Sequence, residues 1–282
     1  MMAHGESRLR RLLVFQLPLL VVTVVTLFPL AWMLVVSFKR NEDLYNPRLN
    51  PYLPTPPDFS HYLFLVQRTN FPMWFLNSAL TTAVAVGFSL FASVLAGYAL
   101  SRLRFPGASL IGWLMFITYL IPGTLLFLPL TRVVNGFHLL NTRPALMLTY
   151  PTFLIPFCTW YLMGYYRSIP GELEEAARID GATRLVTLVR IVLPLATPGI
   201  LAVGIFAFTQ SWNEFLYSLI FITDSARRTL PVGVTSELIR GDTFLWGELM
   251  AASVLGSLPV VVLYIFFVDR IIPGLTAGSV RG

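Results

Sequence analysis

Residues 12–38 read LLVFQLPLLVVTVVTLFPLAWMLVVSF, an unbroken run without a single charged side chain. A helix needs roughly 20 apolar residues to cross the hydrocarbon core of a bilayer, and this stretch is long enough. Arg8, Arg10 and Arg11 precede it. A basic flank before an apolar run also describes a secretory signal. This run is too long for one, and no small-x-small cleavage site closes it, so it reads as an uncleaved anchor helix. Pro18 and Pro29 lie inside it, which membrane helices tolerate where neighbours re-satisfy the freed carbonyls.

The rest of the chain has the same character. Of 282 residues, 56% are hydrophobic and only 12% charged, against about 25% charged in an ordinary soluble domain. Mean hydropathy is +0.71. So few charges cannot cover the outside of a water-soluble fold. The same figures exclude a disordered chain, and Cys158, the only cysteine, excludes a disulfide scaffold. Five more apolar runs follow, at about Met73 to Leu100, Leu110 to Leu130, Pro144 to Gly164, Gly199 to Ile222 and Leu249 to Val268. The expected fold is therefore all-α and polytopic, with six transmembrane helices in one domain over residues 1–282. Its parts are the anchor helix and a Pro-rich outer loop (1–72), the core spans (about 73–270), a charged loop (165–195) and a tail (271–282). Six spans put both termini on one side. Arg8, Arg10, Arg11 and the tight Arg102/Arg104 loop are the short basic flanks that place that side in the cytoplasm. The isoelectric point near 9.7 suits anionic lipid headgroups and does not call for nucleic acid.

Several chemistries are excluded or unsupported. Lys39 is the only lysine and is followed by Arg40, whereas a P-loop needs Gly-Lys-Ser/Thr to hold nucleotide phosphates. The chain does not hydrolyse ATP by a Walker mechanism on its own. His4, His61 and His138 show no metal-ligand spacing and read as surface histidines. Neither a GxSxG elbow nor a His-Glu-x-x-His motif occurs. No catalytic residue, cofactor or metal is expected. Cys158 reads as a small packing residue.

Residues 165–198 read YYRSIPGELEEAARIDGATRLVTLVRIVLPLATP, the most charged segment of the chain. Ser168 is placed to cap a helix whose first turn holds Pro170. Glu172, Glu174 and Glu175 follow at the positive end of its dipole. Leu173, Ala176 and Ala177 form a small apolar face, and Gly181 supplies the stop. A second helix with Leu185, Leu188, Val189 and Val192 on one stripe then runs to about Leu193, where Pro194 should break it. A short amphipathic helix with small alanines and an acidic rim suits a groove in another protein; composition alone favours the plainer reading of a solvated or interfacial loop.

The wording of this segment is specific. Glu175-Ala176-Ala177, three residues, Gly181, nine residues, Ile191, one residue and Leu193-Pro194 resembles the EAA-loop signature of ABC importer permeases. The context from Ile169-Pro170 to Ile179-Asp180-Gly181-Ala182 is similar to the second permease subunit of maltose-type carbohydrate importers. So are Trp212-Asn213-Glu214-Phe215 and the terminal stretch from Gly274 to Gly282. The resemblance implies a type I ABC importer permease fold in a prokaryotic cell membrane, forming half of the translocation path for a sugar or oligosaccharide. It implies three partners: a homologous permease subunit in a heterodimer, an ABC ATPase dimer and an extracytoplasmic sugar-binding protein. The ATPase-coupling surface would comprise Glu174, Glu175, Ala176, Ala177, Asp180 and Gly181. Thr276, Gly278 and Ser279 would lie in a tail that reaches the ATPase.

Glu214 is the one ionisable residue inside an expected span, and such groups face protein or water and mark pathways. With Asn77, Gln210, Trp212 and Asn213 it forms the expected substrate path, since sugars need hydrogen-bonding side chains beside flat apolar faces. Tyr98 and Tyr119 are further candidates at membrane depth. The alternative for Glu214 is a structural pairing or a hydrated place near the outer interface. Two other functions stay open here. One is a glycerol-phosphate or polyol-type importer permease. The other is a six-span secondary carrier, which would need coupling charges or an inverted repeat that the sequence does not show.

Overall fold

The computed structural model describes residues 11–44, 46 and 56–276, the last seven by backbone alone. The chain divides into two compact units, one holding residues up to Phe71 with Val234–Ser257, the other Pro72–Gly233 with the residues from Leu258 onward. Among the described residues five helices are long and apolar enough to cross a membrane, and a bent pair makes a sixth.

In the first unit, α1 (Leu12–Ser37) presents almost all of its side chains outward, as a lipid-facing anchor must. A short helix, α2 (Ser60–Arg68), follows the outer loop. It is fastened near the end of α1 by the Ser37–Tyr62 hydroxyl pair at 2.8 Å and by Phe38 packed on Phe59 and Tyr62. His61 on α2 is not the surface histidine expected from the sequence: it is 1% exposed. Its Nε2 lies 2.6 Å from the Lys39 carbonyl and its Nδ1 3.2 Å from the Glu248 carboxylate. Gly247 leaves room for the ring; a Cβ there would overlap it. Burial lowers the His61 pKa, but the hydrogen bonds to Glu248 and to Lys39 and the Glu248 charge outweigh it, so the pKa is raised. His4 lies outside the described residues, and His138 is exposed in a left-handed turn.

The second unit holds the central bundle. Its first helix, α3 (Phe71–Arg102), is 32 residues long and carries no proline after Pro72. The expected third span is instead two helices, α4 (Ala108–Leu120) and α5 (Gly123–Gly136), bent by 100°. The bend falls at Pro122, which disfavours the helical conformation at the residue before it; Ile121 is extended, with ψ 122°. Next comes α6 (Arg143–Ser168), which packs between α4 and the helix after the charged loop. Gly97 lets α3 approach α6 closely, with Leu162 about to touch any added Cβ at 3.1 Å. Cys158 is fully buried in this core.

The charged loop contains α7 (Glu172–Ile179), and α8 (Leu193–Trp212) follows. Pro194 does not break the second helix. A turn at Arg184–Thr187 and a widened stretch at Leu188–Val192 lead directly into α8, with Leu193 N–H reaching back to Leu188 O, so Pro194 falls in a first turn where no N–H is needed. The expected fifth span is itself interrupted: α8 stops at Trp212 and a separate helix, α9, occupies Leu216–Phe221. Beyond it lie α10 (Leu230–Leu238), a two-stranded ribbon of β1 (Ile239–Arg240) and β2 (Thr243–Phe244), and the last helix α11 (Trp246–Thr276).

Candidate functional site

Two places in the second unit carry the residues singled out by sequence. The first is α7. Gly171, not Ser168, stands at its N-cap; the Ser168 hydroxyl is turned back onto the Tyr165 carbonyl. At the other end Gly181 adopts φ +83°, and the Ala182 N–H returns to the Ala177 carbonyl, a glycine-terminated helix end. The helix divides its residues sharply. Glu175, Ala176, Asp180 and Gly181 are exposed, beside Leu173 and Ile179 at 86% exposure. Ala177 and Glu174 face inward. Glu174 accepts a hydrogen bond from the Tyr98 hydroxyl at 2.9 Å, and its other oxygen lies 2.8 Å from Arg102 Nε. The Arg102 guanidinium also donates to the carbonyls of Tyr166 and Ile169, at 2.7 and 2.6 Å, closing the end of α6.

The second place is a cavity of about 370 Å³ where the two broken spans meet. That volume lies within the range of small-molecule pockets. Gln210, Asn213 and Glu214 line it with Thr124, Tyr119, Phe153, Phe206 and Tyr217. Glu214 sits in the gap between α8 and α9. Its carboxylate accepts from the Tyr217 and Ser218 N–H groups at 2.7 and 3.3 Å, capping α9, and from the Tyr150 hydroxyl at 2.9 Å. The Tyr217 hydroxyl donates across the cavity wall to the Gly123 carbonyl, the first residue of α5. Polar donors and acceptors thus stand beside aromatic faces, the surface a sugar ring would contact.

Asn77 and Trp212 do not line this cavity. Asn77 is fully buried and donates from its amide to the Ala226 and Arg228 carbonyls, at 2.9 Å each. Trp212 is 4% exposed, stacked on Phe208 and edge-on to Phe75. Tyr98 stands with α7 at the far end of α3, whereas Tyr119 does line the cavity. Tyr150, Tyr217 and Arg102 were not singled out by sequence. Tyr217 lies three residues after Glu214, and Arg102 lies one helical turn after Tyr98, which is the local signal that was available. Thr276 is the last described residue, and Gly278 and Ser279 fall outside the described residues.

Comparison with known proteins agrees with this architecture. Residues 68–277 match the family described as "Binding-protein-dependent transport system inner membrane component". The chain is 37% identical over 262 residues to the inner membrane ABC transporter permease protein YcjP of Escherichia coli (strain K12), with 92% of each chain covered. It is 33% identical over 278 residues to the trehalose/maltose transport system permease protein MalG of Thermococcus litoralis, covering 98% of this chain and 99% of that one. Among solved structures it is similar to a chain of a bacterial ABC transporter involved in the import of the acidic polysaccharide alginate. That match has a TM-score of 0.78 at 22% identity and covers 95% of this chain and 99% of the other. The chain therefore belongs to the inner membrane components of binding-protein-dependent transport systems, as a multi-pass permease subunit of an ABC importer and not itself an enzyme.

Proposed function

We propose that this permease forms half of the path for a neutral sugar or oligosaccharide, and that the cavity at the two helix breaks is its share of the substrate-facing wall. The observation that carries this reading is the lining itself. Tyr119, Phe153, Phe206 and Tyr217 offer flat apolar faces, Gln210, Asn213 and Thr124 offer hydrogen bonds, and among the described residues Glu214 is the one carboxylate in the lining. A phosphorylated polyol would call for a cation, and none of the described lining residues is one, which weighs against the glycerol-phosphate reading. Relatives named for sulfoquinovosyl glycerol, diacetylchitobiose and arabinooligosaccharides support the carbohydrate class.

In this reading the other half of the path comes from a homologous permease in a heterodimer, since six helices around a path leave one side open. The α7 end faces the cytoplasm with both termini, and the exposed Glu175, Ala176, Ile179, Asp180 and Gly181 dock a separate ATPase. A binding protein delivers substrate at the opposite end. The test is uptake of a panel of labelled oligosaccharides by vesicles holding the complete complex. Asn213→Ala and Phe206→Ala should lower uptake of the transported sugar about tenfold, the worth of one lost hydrogen bond or ring contact. Unchanged uptake in both variants rejects the cavity as substrate wall.

A further inference from the structure

We propose that Glu174 is a positioning residue: it fastens α7 to α3, and α3 acts as a rigid rod carrying movement of α7 to the loop at residues 225–230. This rests on the reading of α7 as the ATPase-docking helix but assigns Glu174 away from the docking face. Both carboxylate oxygens of Glu174 are engaged inward, one on the Tyr98 hydroxyl and one on Arg102, and the side chain is only 13% exposed. Arg102 adds the two carbonyls at the end of α6, so α3, α6 and α7 meet at one guanidinium. The Tyr98–Glu174 bond and the two bonds from Arg102 to carbonyls are charge-assisted and hold a fixed geometry at low exposure, and the Glu174–Arg102 contact adds ion pairing.

The other end of α3 is fastened as firmly. Trp74 Nε1 donates to the Ser225 carbonyl at 2.8 Å, Asn77 to those of Ala226 and Arg228, and the Ser78 hydroxyl accepts from the Leu230 N–H at 2.8 Å. Thr229 N–H in the same loop reaches Ser218 on α9, one turn from the cavity. Between Asn77 and Arg102 the helix runs without a proline or a break for about 38 Å at 1.5 Å per residue. Sharp kinks arise at proline, at Gly/Ser pairs or at widened turns, and α3 stays one continuous α-helix through Gly87, Ser89 and Gly97. Displacement of its Glu174 end is therefore delivered to the loop and, through Ser218, to the cavity wall. The buried amide of Asn77 belongs to this transmission, although it does not line the cavity.

The test uses the assembled complex with its ATPase, in a Cys158→Ser background carrying Asn213→Cys in the cavity. Labelling of that introduced thiol by a membrane-impermeant methanethiosulfonate is timed with and without MgATP and vanadate. Trapping should change the rate by at least about fivefold in this parent, the low end of site-to-site coupling. Glu174→Ala and Asn77→Ala should each shrink the change to under about twofold with the ATPase still co-purifying, while Glu174→Gln, which keeps the Tyr98 bond, retains most of it. A full response in Glu174→Ala or Asn77→Ala overturns the rod. Loss of the ATPase from Glu174→Ala also overturns it, because Glu174 would then be a docking residue. Failure of the docking reading shows separately, as retention of the ATPase by a Gly181→Asp variant.

Discussion

Glu214→Ala tests whether the carboxylate in the broken span is first of all a structural acceptor. Three donors converge on it: the Tyr150 hydroxyl at 2.9 Å and the Tyr217 and Ser218 N–H groups at 2.7 and 3.3 Å. Tyr150 is fully buried, and its hydroxyl donates to this carboxylate. Each strongly held donor left unsatisfied costs about 1–3 kcal/mol. Counting Tyr150 and Tyr217 and omitting the longer Ser218 contact, the loss is about 2–6 kcal/mol. At about 2 °C per kcal/mol for a chain of this size, the melting temperature should fall by about 4–12 °C. Tyr150→Phe removes one donor and leaves the carboxylate its two backbone partners, so it should cost only about 1 kcal/mol. Glu214→Gln keeps an amide oxygen as acceptor and should fall between the two. The assay is thermal loss of the monodisperse complex in detergent, made on the same preparations used for vesicle uptake. A Glu214→Ala complex that melts with the parent, or a Tyr150→Phe complex that melts below Glu214→Ala, would refute the reasoning.

Three further outcomes are expected. The His61–Glu248 pair should give the assembly a stability that depends on pH. Because the His61 pKa is raised, the contribution is full below the ordinary histidine value of about 6.5 and is lost as pH rises through the raised value. A melting series from pH 6 to 9 should fall in the parent and flatten in His61→Gln. Gly181→Ala places a Cβ at φ +83°, costing roughly 1 kcal/mol and tilting the end of α7; weaker co-purification of the ATPase, with melting lowered by no more than about 2 °C, is the readout. Gly233→Ala drives a Cβ into the fully buried Trp74 ring, which lies 2.2 Å from the ideal position. Overpacking of this kind costs about 1–3 kcal/mol, to be measured as a lower melting temperature of the purified complex.

The number and rough placement of the spans were legible because an uncharged apolar run of spanning length has few other uses. Gly181 as a helix stop was legible for a similar reason, since glycine alone enters the left-handed region without strain. What sequence missed were the interruptions. Hydropathy does not register a break, because Ile121 and Phe215 remain as apolar as the helices around them. The Pro122 bend was readable in principle from its effect on the preceding residue, yet Pro29 and Pro198 sit inside unbroken helices, so proline alone does not distinguish the cases. His61 was misread because its partners, Lys39 O and Glu248, are 22 and 187 residues away. Asn77 was assigned by depth in its span, whereas its partners are loop carbonyls about 150 residues on. The residues of α7 were assigned as one surface, and only the three-dimensional register separates inward Glu174 from outward Glu175.

The two interruptions meet at one point and are tied by a hydrogen bond. A broken helix at membrane depth exposes N–H and C=O groups that lipid cannot satisfy, and such backbone persists only where protein or a water-filled cavity receives it. Here the gap between α8 and α9 is closed by the Glu214 carboxylate, which takes the free N–H groups of α9. Tyr217, the residue so held, sends its hydroxyl to the Gly123 carbonyl beside the break between α4 and α5. The α8/α9 break thus satisfies its own N–H groups through Glu214 and is tied to the other break through Tyr217, and the space left between the two is the cavity. A chain selected only to span a bilayer would gain by making both helices continuous. Keeping both breaks at one point, with aromatic faces and amides around them, makes sense for a surface that must meet a polar solute inside a membrane.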